Sequence, residues 1–277
     1  MKRIAIQGEK GSFHDIAAHD YFKGEQVQLI CCATFEQVYE AVRRDPTVIA
    51  MAAIENTIAG SLLHNYELLR DSGTTVVGEY KLHISHCICC LPDDSWETIT
   101  EVHSHPVALM QTRHYLERHP ELRVVEAEDT AGAACMISEG QHHGWAAICH
   151  ADAARLYGLK VLENGIEDNK HNFTRFLVCS APQKADMLRP LTAANKSSLV
   201  FSLPHEEGSL SQVLSILSFY RINLTKIQSL PIIGREWEYL VYVDVTYDDL
   251  TRYRQSIDAI IPLTRELKIL GEYVQAS

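Results

Sequence analysis

The apolar periodicity of this chain changes once, and that change constrains the fold more than any composition figure. Over residues 1–180, short β-branched runs at 2–7, 27–32, 48–54, 75–78, 99–103, 123–127, 145–149 and 173–179 read as strands. Segments of helical period lie between them, at 15–22, 35–44, 62–69, 107–119, 130–138 and 152–157. In one of these Leu62, Tyr66 and Leu69 share a single stripe. Such alternation predicts βαβ units, largely parallel sheets and the α/β class.

The pattern stops at 181–196, where two prolines and no period predict a linker. Beyond it the order is strand (198–203), helix (209–220), strand (223–233), strand (238–246), helix (250–261) and strand (269–274). That βαββαβ order over about 80 residues is the ferredoxin-like unit. Two regions are therefore expected, 1–180 and 197–277, joined by 181–196.

Charge and cysteine content narrow the function. There are 25 basic and 36 acidic residues, a net charge of −11, with no basic cluster to grip a phosphate backbone, which argues against nucleic acid. The apolar start, 4–6, is far too short for a signal peptide, and the longest apolar run, 48–54, covers about a third of a membrane span. A soluble, cytoplasmic protein is the expectation. Eight cysteines without an export signal are expected to be thiols. Residues 82–91 read as a strand in which Cys87 and Cys89 share one face and Cys90 lies on the other, so the formal C-x-x-C is a poor metal site. No G-x-G-x-x-G, P-loop or G-x-S-x-G occurs, and no pair of the 14 histidines has ligand spacing with a third ligand; no metal is expected.

Polar clusters stand where strands end, the usual place for ligands in open α/β sheets. Glu55-Asn56-Thr57 follows the third strand, Ser104-His105 opens a helix, Asp129-Thr130 opens another, and Asn172-Phe173-Thr174-Arg175-Phe176 enters a strand otherwise made for burial. Each has an ordinary reading as a cap or turn. Together they suggest a cleft of hydroxyls, amides and one guanidinium. Such a set suits positioning an anion and hydrogen bonding to a leaving oxygen, and suits neither peptide hydrolysis nor hydride transfer.

Several stretches then resemble prephenate dehydratases that carry a C-terminal ACT regulatory domain. They are I-E-N-T-I-A-G-S-L (54–62), V-H-S-H-P-V-A-L-M-Q (102–111), D-T-A-G-A-A (129–134), A-A-I-C-H-A-D-A-A-R-L-Y-G-L (146–159) and, strongest, N-F-T-R-F (172–176). The opening I-Q-G-E-K-G-S-F-H (6–14) is similar too, with Glu9 where the family usually has proline. E-E-G-S-L (206–210) and I-N-L-T-K-I-Q-S-L-P (222–231) match the ACT part.

The resemblance implies two α/β lobes around a cleft, as in periplasmic binding proteins, followed by the ferredoxin-like ACT domain. It implies a carbon–oxygen lyase without a cofactor, converting prephenate to phenylpyruvate, water and CO2 on the way to phenylalanine. By this analogy Thr174 is the central catalytic residue and Arg175 its substrate-binding partner, expected to hold a carboxylate. Asn56, Ser104 and Gln111 match further catalytic positions. Glu55, His105, Thr130, Asn172 and Phe176 line the substrate.

For the ACT part the resemblance implies an L-phenylalanine effector at Gly208, Ser209, Leu210, Asn223, Leu224, Gln228 and Ser229. The family's E-S-R-P is here Gln228-Ser229-Leu230-Pro231, which removes a carboxylate and a guanidinium. The local alternative is an ordinary helix cap at Ser209. A pairwise effector site implies a homodimer or homotetramer. Arogenate dehydratase and a non-catalytic binding protein are the rival readings, and a fused chorismate mutase is not expected because no helical domain flanks residues 1–277.

Overall fold

Turn chemistry and caps punctuate the chain of this computed structural model, which describes residues 1–188 and 193–276. Strands β1 (Lys2–Gln7), β2 (Val27–Cys32) and β3 (Val48–Asn56) alternate with helices α1 (Phe13–Tyr21) and α2 (Phe35–Arg44). Both helices begin at side-chain caps: Ser12 accepts from the Asp15 amide, and Thr34 from the Gln37 amide. After the short β4 (Gly60–Ser61) and α3 (Leu63–Asp71), β5 (Thr75–His83) leaves this first lobe.

The second lobe comprises β6 (Cys87–Cys90), β7 (Glu101–Ser104), α4 (Pro106–Gln111), α5 (Arg113–Leu116), β8 (Arg123–Glu126), α6 (Thr130–Gly140), β9 (Trp145–Cys149), α7 (Ala151–Leu156) and β10 (Lys160–Asn164). Strand β11 (Phe173–Ser180) then returns to the first lobe, between β5 and β3 and antiparallel to both. The second sheet runs β10-β6-β9-β7-β8, with β6 antiparallel to both its neighbours. Both sheets are thus mixed, where periodicity predicted mainly parallel ones. The chain crosses between lobes twice, and each crossing strand enters antiparallel. The predicted strand 82–91 is broken at Ile84-Ser85-His86, where the first crossing occurs, and the predicted helix 107–119 is interrupted at Thr112.

Regular structure also reaches into 181–196 from both ends. Pro182 starts α8 (Pro182–Leu188), and Ala185 packs into the core beside Ala17, Ala18 and Val178. At the other end Lys196 already belongs to β12 (Lys196–Ser202). Residues 189–192 of that predicted linker lie outside the described residues. There follow α9 (Ser209–Phe219), β13 (Asn223–Pro231), β14 (Tyr239–Thr246), α10 (Leu250–Ile260) and β15 (Arg265–Tyr273), the expected βαββαβ order.

The C-terminal unit is not a separate bead. Its four strands continue the first lobe's sheet, giving the order β13-β14-β12-β15-β5-β11-β3-β1-β2. The joint is a single parallel pair, Gly271 with Val76. A Cβ on Gly271 would overlap the Val76 carbonyl, so glycine is required for this approach. One face of β12 and β14 packs on α9 and α10 through Leu199, Phe201, Val241 and Val243. The opposite face, carrying Val200 and Tyr242, packs on α3 of the first lobe, with Tyr242 edge-on to Tyr66 at 5.2 Å.

Candidate active site

The ends of β3 and β11 lie side by side, with Thr174 opposite Asn56 and Arg175 opposite Glu55. Successive strand residues point to opposite faces. This alternation divides the predicted residues into two groups with different environments.

On one face, the Asn56 side-chain amide donates to Thr174 Oγ1 at 3.0 Å and to Asn172 Oδ1 at 2.8 Å. Asn172 Nδ2 donates to Gln111 Oε1 at 3.0 Å, and Asn56 Oδ1 accepts from the backbone amides of Ile58 and Ala59. Gln111 comes from α4 of the second lobe, so the network spans both lobes. The three amide side chains are buried while Thr174 is only half-buried, which leaves a hydroxyl presented on a fixed base. Every bond here is neutral, so the base holds geometry without creating a strong acid.

Sequence reasoning missed His86. Its Nε2 bonds Gln111 Oε1 at 3.0 Å, while Nδ1 is buried without a partner among the described residues. Burial holds its imidazole below the usual pKa despite the Gln111 bond, so it stays neutral. The ring of Phe13, from the first lobe, meets the His86 and His150 rings edge-on. No spacing rule links residues 13, 86 and 111; only the lobe packing does.

Other predicted residues do not join this cluster. Ser104 is fully buried and its hydroxyl donates to the Ile148 carbonyl at 2.5 Å, because β7 pairs with β9 and turns the side chain into the sheet's surroundings. His105, not Ser104, caps α4, accepting from the Val107 amide at 3.2 Å. Thr130 is buried in the first turn of α6, whose cap is Asp129. Phe176 lies in the first lobe's core, edge-on to His14 at 5.0 Å, and is not part of a wall.

Arg175 and Glu55 face the other way. Arg175 Nε donates to Glu79 at 2.6 Å, Nη2 donates to the Tyr273 hydroxyl at 2.9 Å, and Nη1 pairs with Asp244 of the C-terminal unit. Burial alone would lower the guanidinium pKa, but Asp244, Tyr273 and Glu79 hold it well above its ordinary value. Burial likewise pushes the Glu79 carboxyl up, yet Arg175 and Lys196 outweigh it and leave it below the usual range. Glu55 accepts from Lys226 at 2.7 Å. The expected carboxylate grip by Arg175 is therefore corrected. All three of its nitrogens are engaged within the protein, on the face of the strand away from Thr174.

A larger cleft, about 1440 Å³, opens where the ends of β1, β2, β7 and β8 converge between the lobes. Gly8, Glu9, His105 and Asp129 line it, and the Glu9 amide donates to Asp129 across it at 3.1 Å. Gly8 is left-handed (φ +95°), and a Cβ there would press on the Asp129 carboxylate. Thr174 does not line this cleft.

In the C-terminal unit, Ser209, Leu210 and Ser229 border a groove of about 290 Å³ together with Trp237 and Tyr239, two aromatics that sequence reasoning missed. Gly208, left-handed at φ +80°, precedes α9 as its cap residue, so Ser209 is not the cap; its hydroxyl donates to the Glu206 carbonyl instead. Asn223, Leu224 and Gln228 lie on β13 outside that groove; Asn223 donates to Thr246, and Gln228 to the Ser229 carbonyl.

Cys87, Cys89 and Cys149 have their sulfurs within 4.8 Å of one another in the second lobe's core, the one group of three metal-ligating side chains among the described residues. Cys90 faces the opposite core, as strand alternation predicted. The trio could hold a soft ion by geometry. As thiols they pack like small hydrophobes, and sulfur neighbours plus burial hold Cys149 well above the usual thiol pKa. No helix among the described residues is long and apolar enough to cross a membrane.

This chain is similar to known proteins over nearly its whole length. A family model described as prephenate dehydratase matches residues 4–184. The bifunctional chorismate mutase/prephenate dehydratase of Escherichia coli (strain K12) is 31% identical over 274 residues, covering 98% of this chain and 70% of that one. Arogenate dehydratase 5, chloroplastic, of Arabidopsis thaliana is 34% identical over 290 residues, covering 98% and 67%. Among solved structures, one described as a novel type of quorum-quenching acylase has a TM-score of 0.86 at 29% identity, covering 99% of this chain and 98% of its own. Prephenate dehydratase from Arthrobacter aurescens in complex with L-Phe has a TM-score of 0.85 at 23% identity, covering 99% and 90%. With the family model spanning well over half its length, this chain belongs to the prephenate dehydratase family.

Proposed function

We propose that the chain is a carbon–oxygen lyase that converts prephenate to phenylpyruvate, water and CO2. The observation that carries this reading is the half-buried Thr174 hydroxyl, fixed by Asn56 on an amide network drawn from both lobes. As the bond from the ring to its carboxylate breaks, its electron pair enters the ring and CO2 departs. The bond from the ring to its hydroxyl breaks with its electron pair going to oxygen, and the departing hydroxide takes up a proton supplied in net by solvent, forming water and an aromatic ring. Aromatisation drives the step, so a hydrogen bond that strengthens as charge develops on the leaving oxygen is enough. Thr174 supplies it, and the amides hold it in place. An amide-cleaving reading has less support, since Thr174 is bonded by an amide donor and not by a base.

The unit from 197 to 277 reads as an ACT regulatory domain, with 181–196 leading into it. L-phenylalanine is the proposed effector, seated in the groove of Ser209, Leu210 and Ser229; the related chain solved with L-Phe supports this choice. The amides at the start of α9 have no side-chain cap and suit a carboxylate. Strand β13 is a sheet edge, and Leu210, Phe219, Ile227 and Ile233 are exposed on the same unit. Unpaired edges and apolar patches of this kind favour pairing with a second copy, so a homodimer or homotetramer in the cytoplasm is the expected form.

The test is phenylpyruvate formation from prephenate, with and without millimolar L-phenylalanine. Product formation suppressed by L-phenylalanine is expected. Turnover of arogenate but not prephenate would move the substrate to that of the Arabidopsis relative. No turnover of either would overturn the lyase reading.

A further inference from the structure

Seven consecutive strands each place a polar side chain on one face of the long sheet. In strand order they are Lys226 (β13), Asp244 (β14), Ser198 (β12), Tyr273 (β15), Glu79 (β5), Arg175 (β11) and Glu55 (β3). Ser198 donates to Asp244 at 2.5 Å and bonds the Tyr273 hydroxyl at 2.6 Å; Arg175 joins Tyr273, Asp244 and Glu79; Lys196 donates to Glu79 at 2.9 Å. Lys226, at one end of the row, then bonds Glu55 at the other at 2.7 Å. The sheet therefore folds over at the single β15–β5 joint, and the row closes into a ring.

The ring meets the site at two points. Glu55 immediately precedes Asn56 on β3 and Arg175 immediately follows Thr174 on β11, and the two pairs lie in register. Adjacent residues of one strand are joined by a fixed 3.8 Å Cα step, so moving one backbone moves the other. The register against β3 shifts between Arg175 and Phe176, where β3 carries Ile54 as an extra residue, while β11 keeps an unbroken register with β5 over 173–178, so a shift of Glu55 or Arg175 is passed along both strands.

We propose that Arg175 is a positioning residue, not a substrate ligand, and that the C-terminal unit sets the placement of Thr174 and Asn56 through the Asp244–Arg175 and Lys226–Glu55 pairs. The inference rests on the reading of Thr174 as the group that acts on the leaving oxygen. Charged networks of this kind carry coupling between sites because breaking one link leaves its partners unpaired. Small displacements of a catalytic group are costly to turnover.

The experiment compares Asp244→Asn and Lys226→Gln with Tyr253→Phe, which loses a hydroxyl bond to Ser197 within the C-terminal unit's own core. All are assayed with prephenate and followed by amide hydrogen exchange. Asp244→Asn is expected to lower kcat about tenfold with KM changed less than about twofold. Exchange at 55–57 and 173–175 should quicken by about tenfold in the same variant, and the L-phenylalanine response should weaken. Tyr253→Phe should melt earlier but leave kcat and those amides alone. Equal kcat in folded Asp244→Asn and Tyr253→Phe, or Arg175→Lys raising KM at unchanged kcat, would overturn the proposal. If the wild type turns over neither prephenate nor arogenate, the lyase reading fails. Exchange at 55–57 and 173–175 then still decides whether the C-terminal unit positions these strands, with unchanged protection in Asp244→Asn counting against it.

Discussion

The two faces of the β3–β11 strand pair meet polar networks of opposite kind. On one, Asn56, Asn172, Gln111 and Thr174 are neutral, and one hydroxyl remains half-open. Toward the C-terminal unit, three cations (Arg175, Lys196, Lys226) meet three carboxylates (Glu55, Glu79, Asp244). A neutral network tolerates a ligand entering beside it, because no charge is stranded when a contact changes. A buried ionic one resists any change, since removing one partner leaves another charge without compensation. The site thus has an adaptable front and a stiff back.

The sharpest way to break this contrast is on the ionic face. Arg175→Met leaves Glu79 and Asp244 facing each other without their shared cation and should cost about 3–5 kcal/mol, read as a shift in the urea midpoint. A loss under about 1 kcal/mol would mean the network is wetter and weaker than drawn here.

Acid should stress the front of the first lobe. His14, buried against Phe35 and Phe176 with its Nε2 accepting from the Ala53 amide, has its pKa lowered from 6.5 to about 4 by burial. The unfolded chain takes up that proton near pH 6.5, and the folded one only near 4. Stability is therefore full above 6.5 and falls as pH drops to 4, by about 3 kcal/mol in total. His14→Gln should flatten this limb of a stability–pH curve; an unchanged slope would assign it to other groups.

On the neutral face, Thr174→Ala should lower kcat about 10²-fold, equivalent to about 2.7 kcal/mol of barrier, while the melting temperature barely moves. Near-normal turnover would remove Thr174 from the chemistry. The smallest effect is expected at Ser104→Ala. Loss of its bond to the Ile148 carbonyl should cost about 1 kcal/mol of stability, with turnover altered less than about threefold. A Thr174-sized loss there would return Ser104 to the site.

Local pattern carried most of the fold. Residues 2–7, 27–32 and 145–149 form the strands that periodicity predicts, and 35–44 the helix, because their apolar period, caps and flanking turns all agree. Prediction failed where long-range pairing decided. The second lobe's edge strand β10, with its half-exposed K-V-L-E-N, has no period of its own and exists because β6 offers it a partner. The helix α8 within the supposed linker is short and weakly apolar, and forms where Ala185 finds the first lobe's core.

The site shows the same division. Asn56, Asn172 and Thr174 are legible because they stand in polar clusters at strand ends, and Gln111 only through the family resemblance. His86, Glu79, Asp244 and Tyr273 are not legible, since nothing in their neighbourhoods signals partners up to 197 residues away. The direction of Arg175 was within reach of the sequence, as strand alternation already sets it opposite Thr174.

By itself the sequence determined most of the strands and helices, the caps of α1 and α2, and which polar side chains gather at strand ends. These depend on periods and spacings a few residues long. Only the tertiary structure decided which face of β11 meets the amide network, which carboxylates hold Arg175, and that the C-terminal strands join the first lobe's sheet at Gly271. Those outcomes depend on which distant segments pair, and pairing energy is a property of the assembled surfaces and not of any one stretch of chain.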